Sequence, residues 1–451
     1  RLAEGLLGAQ SQADSKVANV MSDCTGLLVA LSKTTDPQRQ LKVVQELQDL
    51  SNQYNFLPLG KQAVGKIIDL IKRAREAQKK AQEEKDGQPV SSLPALVRPC
   101  IQLLKNVTKP PPSNATARDK QAVSSNLDGF VMESENVLLL MDLVGVRDPY
   151  VQLATVILLT NILSGKKDRA QQIILSKPIA VNQLVALLEG TGDMVRNEAL
   201  LLLRRLIDGN PTIQKIVAFD NVFDKVLGIA KSEGYLMGGV IVVDILKLIA
   251  TMVEKNSSNQ TYFVESGCVG RLVPFLESAA AQSMNSGSGG SIERRMEILN
   301  ATLQILDFLL TDNHRVSSGK SLCPALLRIT SAPGLPSKVK AYALKIVGRL
   351  IDGRARNQTT MVSASVSIIP VITDLETHLR SGGGVEAKEE RRPALVYVLQ
   401  LALGHDPASL SGVPADVMSA AHYALRSLLR KNFGGQAAVC QALSHVAVTY
   451  E

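Results

Sequence analysis

The chain has 451 residues, 45% hydrophobic and 4% aromatic with no Trp, and a formal net charge of +8. No stretch of about 18 apolar residues is free of charge, so no transmembrane helix is expected, and the N-terminus shows no apolar leader core. The 50 Lys and Arg are interleaved with 42 Asp and Glu instead of forming a stripe, which argues against nucleic-acid binding.

Val17–Leu31 and Arg39–Leu50 have helical apolar spacing, with Asp36-Pro37 between them as an N-cap and first-turn signal. A third helix is expected over Leu59–Lys80. Its basic end, Lys72-Arg73-Ala74-Arg75-Glu76, places Glu76 and Lys80 four residues apart, as in a solvated ion-paired face. Asp86–Pro89 with Ser91-Ser92, and Lys109–Ser113, have loop chemistry; the span 86–134 is expected to be an irregular linker around a helix at Leu96–Leu104. From Glu135 the pattern is regular, and Asp148-Pro149, Lys177-Pro178 and Asn210-Pro211 each break a helix, because proline cannot continue the preceding one. Val195, Ala199, Leu202, Leu203 and Leu206 share one helical face, widened by Leu200 and Ile207. Gly238-Gly239 permits a tight entry into the next helix. Ser283–Gly290, Ala332–Pro336 and Ser381–Gly384 are connectors. No segment alternates with period two, so no strands are expected and the class is all-α.

The helices repeat. Arg205-Leu-Ile-Asp-Gly209 returns as Arg349-Leu-Ile-Asp-Gly353, and Gln214 returns as Gln358, both at a separation of 144 residues, or three units of 48. Helices led by Val151, Val195 and Val240 start 44 and 45 residues apart, each followed by a Gln (Gln172, Gln214, Gln260) in a second helix. Weaker copies lie at Met296–Leu310, Val339–Ile351 and Leu395–Leu403. A period of this size predicts an armadillo/HEAT-like helical-repeat solenoid, an architecture that usually holds other proteins.

Chemistry is sparse. Cys24, Cys100, Cys268, Cys323 and Cys440 are scattered without CxxC or ligand spacing, as expected of reduced, buried thiols. His314, His378, His405, His422 and His445 form no HExxH or other ligand pair, so no metal is expected. Ser286-Gly-Ser-Gly-Gly290 lacks the Lys-Ser/Thr of a phosphate loop, and exposed acid pairs such as Glu389-Glu390 are solvating. Nucleophile motifs such as GxSxG are missing, and neither a cofactor nor an enzymatic activity is expected. The six Asn-x-Ser/Thr sequons are taken as chance matches in a cytosolic chain, and Arg1 in place of Met is what a fragment or processed chain would show.

Several blocks fall in one order: Glu135-Asn-Val-Leu-Leu-Leu140, Gln171-Gln-Ile-Ile-Leu-Ser176, Asn197-Glu-Ala-Leu-Leu-Leu-Leu203, Ile213-Gln-Lys-Ile-Val-Ala-Phe219, Gly238-Gly-Val-Ile-Val-Val-Asp244 and Asn259-Gln-Thr-Tyr-Phe263. Together with Arg39–Tyr54, Gly60 and Ile67–Leu70, they resemble the globular head of the general vesicular transport factor family, the Golgi vesicle-tethering proteins. The resemblance is closest over 135–276, extends to a first repeat at 36–72, and persists only as repeat architecture over 292–451. It implies an armadillo-like head filling 1–451, in a cytoplasmic protein peripheral on Golgi and transport-vesicle membranes. Such a protein would capture vesicles in ER-to-Golgi and intra-Golgi transport ahead of SNARE-mediated fusion. The implied partners are golgins, Rab-type GTPases, SNAREs or tethering complexes. In the family a coiled-coil rod supplies homodimerisation, and no sustained heptads occur in these residues.

Two other readings compete. A karyopherin-type adaptor would need a Trp ladder, which a chain without Trp lacks. A general armadillo-repeat scaffold or adaptor in another cytosolic complex is the stronger rival. For a docking surface, Lys215, Lys225 and Lys231, close together in one repeat, are the candidate partner-binding residues.

Overall fold

The computed structural model describes residues 2–54, 57–83, 94–190, 192–281, 289–312, 319–332, 334–368, 390–407 and 412–448. It divides into two compact units, Arg1–Asp220 and Asn221–Glu451. The expected loops at 86–89 and 91–92, the Gly/Ser stretch at 283–288, Ser381–Gly384, Glu389 and two of the histidines (His314 and His378) lie outside the described residues.

Unit 1 contains α1 (Leu2–Lys33), α2 (Pro37–Gln53), α3 (Gly60–Glu83), α4 (Val97–Val107), α5 (Ala117–Val131), α6 (Ser134–Val144), α7 (Pro149–Gly165), α8 (Lys167–Leu175), α9 (Ile179–Ala186), α10 (Asp193–Ile207) and α11 (Pro211–Phe219). Helices α1, α2, α4, α7 and α10 pack side by side in that order, and α3, α5, α6, α9 and α11 form a second row. Between the rows lie Ile67, Ile68 and Ile71 of α3, Leu103 and Leu104 of α4, Leu158 and Ile162 of α7, and Leu202 and Leu203 of α10, all fully buried. Each such side chain stabilises the fold by roughly 1.5–3 kcal/mol. The starts follow local chemistry. Asp36, Asp148 and Asn210 each accept hydrogen bonds from first-turn amides, with Pro37, Pro149 and Pro211 at positions where a missing N–H costs nothing.

The span 86–134 is more ordered than expected. It holds α4 and α5, the latter opened by a capping box in which Thr116 and Asp119 satisfy each other's backbone amides. Pro110, Pro111 and Pro112 fall in the connection after α4 and Pro99 in its first turn, where a proline is tolerated, while Val97, Cys100, Ile101 and Leu104 keep helical spacing and are fully buried. The expected Glu76–Lys80 pair is not among the ion pairs of the described residues; both side chains are exposed, where such a pair is worth only about 0.2–0.5 kcal/mol.

Unit 2 contains α12 (Val222–Ser232), a 3-10 turn at Tyr235–Met237, α13 (Gly239–Val253), α14 (Ser257–Glu265), a second 3-10 turn at Cys268–Leu272, α15 (Val273–Ala281), α16 (Gly289–Asp312), α17 (Gly319–Ser331), α18 (Ser337–Ile351) and α19 (Ala355–Ser363). A hairpin of β1 (Ser365–Ile368) and β2 (Glu390–Pro393) follows, then α20 (Ala394–Ala402), α21 (Ala415–Leu429) and α22 (Phe433–Val448). Helices α13, α16, α18 and α21 form its row. The class is all-α and armadillo-like, but the expectation of no strands is corrected. Val366 and Ile368 alternate with Ser365 and Ser367, and β1 pairs antiparallel with β2, Val366 opposite Arg392. Four residues are too few for period two to stand out from the flanking helical patterns.

The repeat is visible in its turns. After α10, α13, α18 and α21 the backbone takes one course: Asp208, Glu254, Asp352 and Arg430 sit near φ −61, −61, −59 and −65° with ψ 119, 119, 115 and 112°. The next residue is left-handed in each case, at Gly209 (φ 68°), Lys255 (53°), Gly353 (67°) and Lys431 (53°). Seven residues beyond each helix end stands a glutamine. Gln214, Gln260 and Gln436 donate back to Ile207, Val253 and Leu429 carbonyls, while Gln358 donates forward to Ser427 and Arg430. These amides satisfy carbonyls left open where a helix stops. In the earlier copy this role belongs to Gln171, buried and bonded to the Leu206 and Asp208 carbonyls, and not to the expected Gln172, which is exposed. Adjacent glutamines made the two indistinguishable by spacing alone.

Candidate functional site

In unit 1, α2, α4 and α7 lie side by side, and each turns one stripe toward a common cleft of about 1370 Å³. From α2 come Leu41, Gln45 and Gln48; from α4, Arg98, Gln102 and Lys105; from α7, Tyr150, Leu153, Ala154 and Ile157. The spacings i, i+4, i+7 and i, i+3, i+4, i+7 put each set on a single helical face. Arg75 and Gln78 of α3, and Arg147 and Asp148 ahead of α7, add polar side chains to the lining, and Val146 adds an apolar one. The volume exceeds the ~300–1,000 Å³ usual for small-molecule clefts.

The cleft is cationic. Arg75, Arg98, Lys105 and Arg147 face one carboxylate among the described lining residues, Asp148. That carboxylate is already engaged: it caps α7 by accepting from the Tyr150 and Val151 amides at 3.0 and 3.1 Å, and it takes the Arg98 guanidinium at 3.0 Å. Burial pushes its pKa up, but the Val151 amide, Arg98 and the Tyr150 amide outweigh this and hold it below the usual carboxylate value. Arg98 also lies over the Tyr150 ring, 4.8 Å from its centroid, and Tyr150 is 70% exposed. Arg75 donates to Gln78 at 3.1 Å. Burial, and then the charge of Lys109, lower the Lys105 pKa. The described lining residues are cationic, amide and apolar side chains, a set suited to recognising a ligand.

Lys215 stands exposed on α11 of unit 1, whereas Lys225 (half-buried) and Lys231 (exposed) stand on α12 of unit 2. The last two are six residues apart, about 120° around the helix axis, so they occupy different faces. None of the three lines the α2–α4–α7 cleft. Near Lys215, Ile179 of α9 and Phe219 of α11 are 67% and 72% exposed around a hollow of about 410 Å³. Cys24, Cys100, Cys268 and Cys323 are buried and Cys440 is exposed. No three His, Cys, Asp or Glu converge as a metal cluster, and no helix is long and apolar enough to cross a membrane, among the described residues.

The cleft residues escaped the sequence reading. Arg98-x3-Gln102-x2-Lys105 has the spacing of one helical face, but which face meets solvent depends on α2 and α7, distant in sequence.

No protein-family model matches the chain. It is 28% identical over 377 residues to the general vesicular transport factor p115 of Bos taurus, an alignment covering 81% of this chain and 37% of that protein. It is 26% identical over 235 residues to the intracellular protein transport protein USO1 of Saccharomyces cerevisiae, covering 51% of this chain and 13% of that one. The crystal structure of Uso1-2 superposes with a TM-score of 0.72 at 19% identity, covering 93% of this chain and 62% of that chain. The chain thus spans a little over a third of the length of the bovine protein it matches.

Proposed function

This chain is a relative of the general vesicular transport factors, and on that premise we propose that it is the protein-binding head of a vesicle tether. It would hold transport vesicles at Golgi membranes in ER-to-Golgi and intra-Golgi traffic, ahead of membrane fusion, without catalysing a reaction. The observation that carries this reading is the sequence match to a named transport factor over 81% of the chain. The α2–α4–α7 cleft supports it, because its size and its excess of cationic side chains suit docking.

Golgi-side proteins are the proposed partners, met from the cytoplasm, with Lys215 on unit 1 and Lys225 and Lys231 on unit 2 as separate candidate contacts. Energy on such faces is spread over several residues, so single Lys→Ala changes should act weakly. The test is recruitment of the head to Golgi or vesicle membranes in permeabilised cells, with folding followed by circular dichroism. Combined charge reversal at the three lysines is expected to reduce recruitment. Unchanged recruitment in this variant, and in matched reversals on every other repeat, would favour a scaffold in another complex.

A further inference from the structure

We propose that the α2–α4–α7 cleft of unit 1 is a binding groove for an extended, acidic polypeptide segment of a partner protein. This rests on the reading of the chain as a docking head and gives that head a specific site.

Four cations surround the cleft, and its one described carboxylate is held by Arg98 and by the α7 N-terminus. An incoming acidic side chain therefore meets excess positive charge. Charge alone would suit any polyanion; the amides narrow the class. Gln45 and Gln48 on α2 and Gln102 on α4 line the floor beside those cations. A primary amide offers a donor and an acceptor together, which matches the C=O and N–H of an extended main chain and not a phosphate, which presents acceptors only. Leu153, Ala154 and Ile157 supply an apolar strip for alternate side chains. Tyr150, beneath Arg98, gives one exposed ring, whereas single-stranded nucleic acid is usually read by successive stacked rings.

The probe is a fluorescein-labelled peptide of alternating Glu and Thr, titrated with the 451-residue chain near physiological salt. A Lys-Thr peptide, a single-stranded DNA of equal charge and phosphatidylserine vesicles serve as comparisons. The Glu peptide is expected to bind, and Lys105→Glu with Arg147→Glu to weaken it by about tenfold or more. Lys61→Glu with Lys66→Glu, exposed on α3 outside the cleft, makes the same change in net charge and is expected to have little effect. If the cleft pair fails to fold, Lys105→Gln with Arg147→Gln replaces it. Gln48→Ala with Gln102→Ala alters no charge and should weaken the peptide several-fold while leaving DNA unaffected. Equal losses from the cleft and control pairs, or tighter binding of DNA or vesicles than of the peptide, would overturn the assignment. Peptide binding by a protein absent from vesicle membranes would sink the tether reading and leave the groove standing. Membrane recruitment without peptide binding would do the reverse.

Discussion

Lys255 and Lys431 occupy, with φ of 53° each, the left-handed position that Gly353 fills in the same unit with φ of 67°. An L-residue there costs about 1–2 kcal/mol from the crowding of Cβ against the carbonyl. Both lysines are exposed, so their side chains contribute little that offsets the cost. Replacing Lys255 by Gly relieves that strain but adds freedom to the unfolded chain worth about 0.4–1 kcal/mol, leaving a net stabilisation of about 0.5–1 kcal/mol. Gly353→Ala reverses the sign. A Cβ at Gly353 would meet no atom within 4 Å, so its cost of about 1 kcal/mol is backbone strain alone. Urea unfolding followed by circular dichroism gives the midpoints, and amide exchange in the first turn of the following helix localises the change. Lys255→Gly and Lys431→Gly should raise the midpoint and Gly353→Ala lower it. If all three moved it in the same direction, the proposed equivalence of these turns would be refuted.

Three further outcomes are expected. Gln171→Leu strands the Leu206 and Asp208 carbonyls it now satisfies at 2.8 and 3.0 Å, and should cost about 1–3 kcal/mol in thermal or urea melts; a melt like the parent's would remove the amide from the account. Burial raises Cys100 and Cys323 to about 12 and Cys24 and Cys268 to about 11, so the folded chain should show one fast-reacting thiol, Cys440, toward a disulfide reagent at mildly alkaline pH. Mass mapping of the label onto a second cysteine before unfolding would contradict this. The folded pKa of Asp148 lies below the 3.8 of a free carboxyl; its stabilisation is complete above that value and fades as pH falls through the folded pKa. The stability gap between the parent and Asp148→Asn should therefore close in acid, and a gap that widened below pH ~4 would show the sign to be wrong.

Long helices with broad apolar faces were legible, because burial on one side repeats every three to four residues and proline marks the breaks; Leu202, Leu203 and Leu206 are as buried as their spacing required. The turn repeat was half legible. Arg205–Gly209 and Arg349–Gly353 announce it by residue identity, but Lys255 and Lys431 reach the same backbone without glycine and left no such mark. The hairpin was hidden by its length and by the distance between its strands. The cleft was hidden for a different reason. Its polar stripe on α4 resembles any solvated helix face until α2, which ends at Gln53, and α7, which begins at Pro149, close around it.

The proposal that this chain docks vesicles at the Golgi through its helical repeats is tested most directly by localisation. The whole protein, tagged and expressed at native level, should co-distribute with Golgi membranes and transport vesicles. Reversing charge at Lys105 and Arg147 together with Lys215, Lys225 and Lys231 should delay cargo transport while the variant itself remains folded. A protein diffuse in the cytoplasm, or resident on an unrelated complex with cargo transport untouched by the charge reversal, would contradict the account.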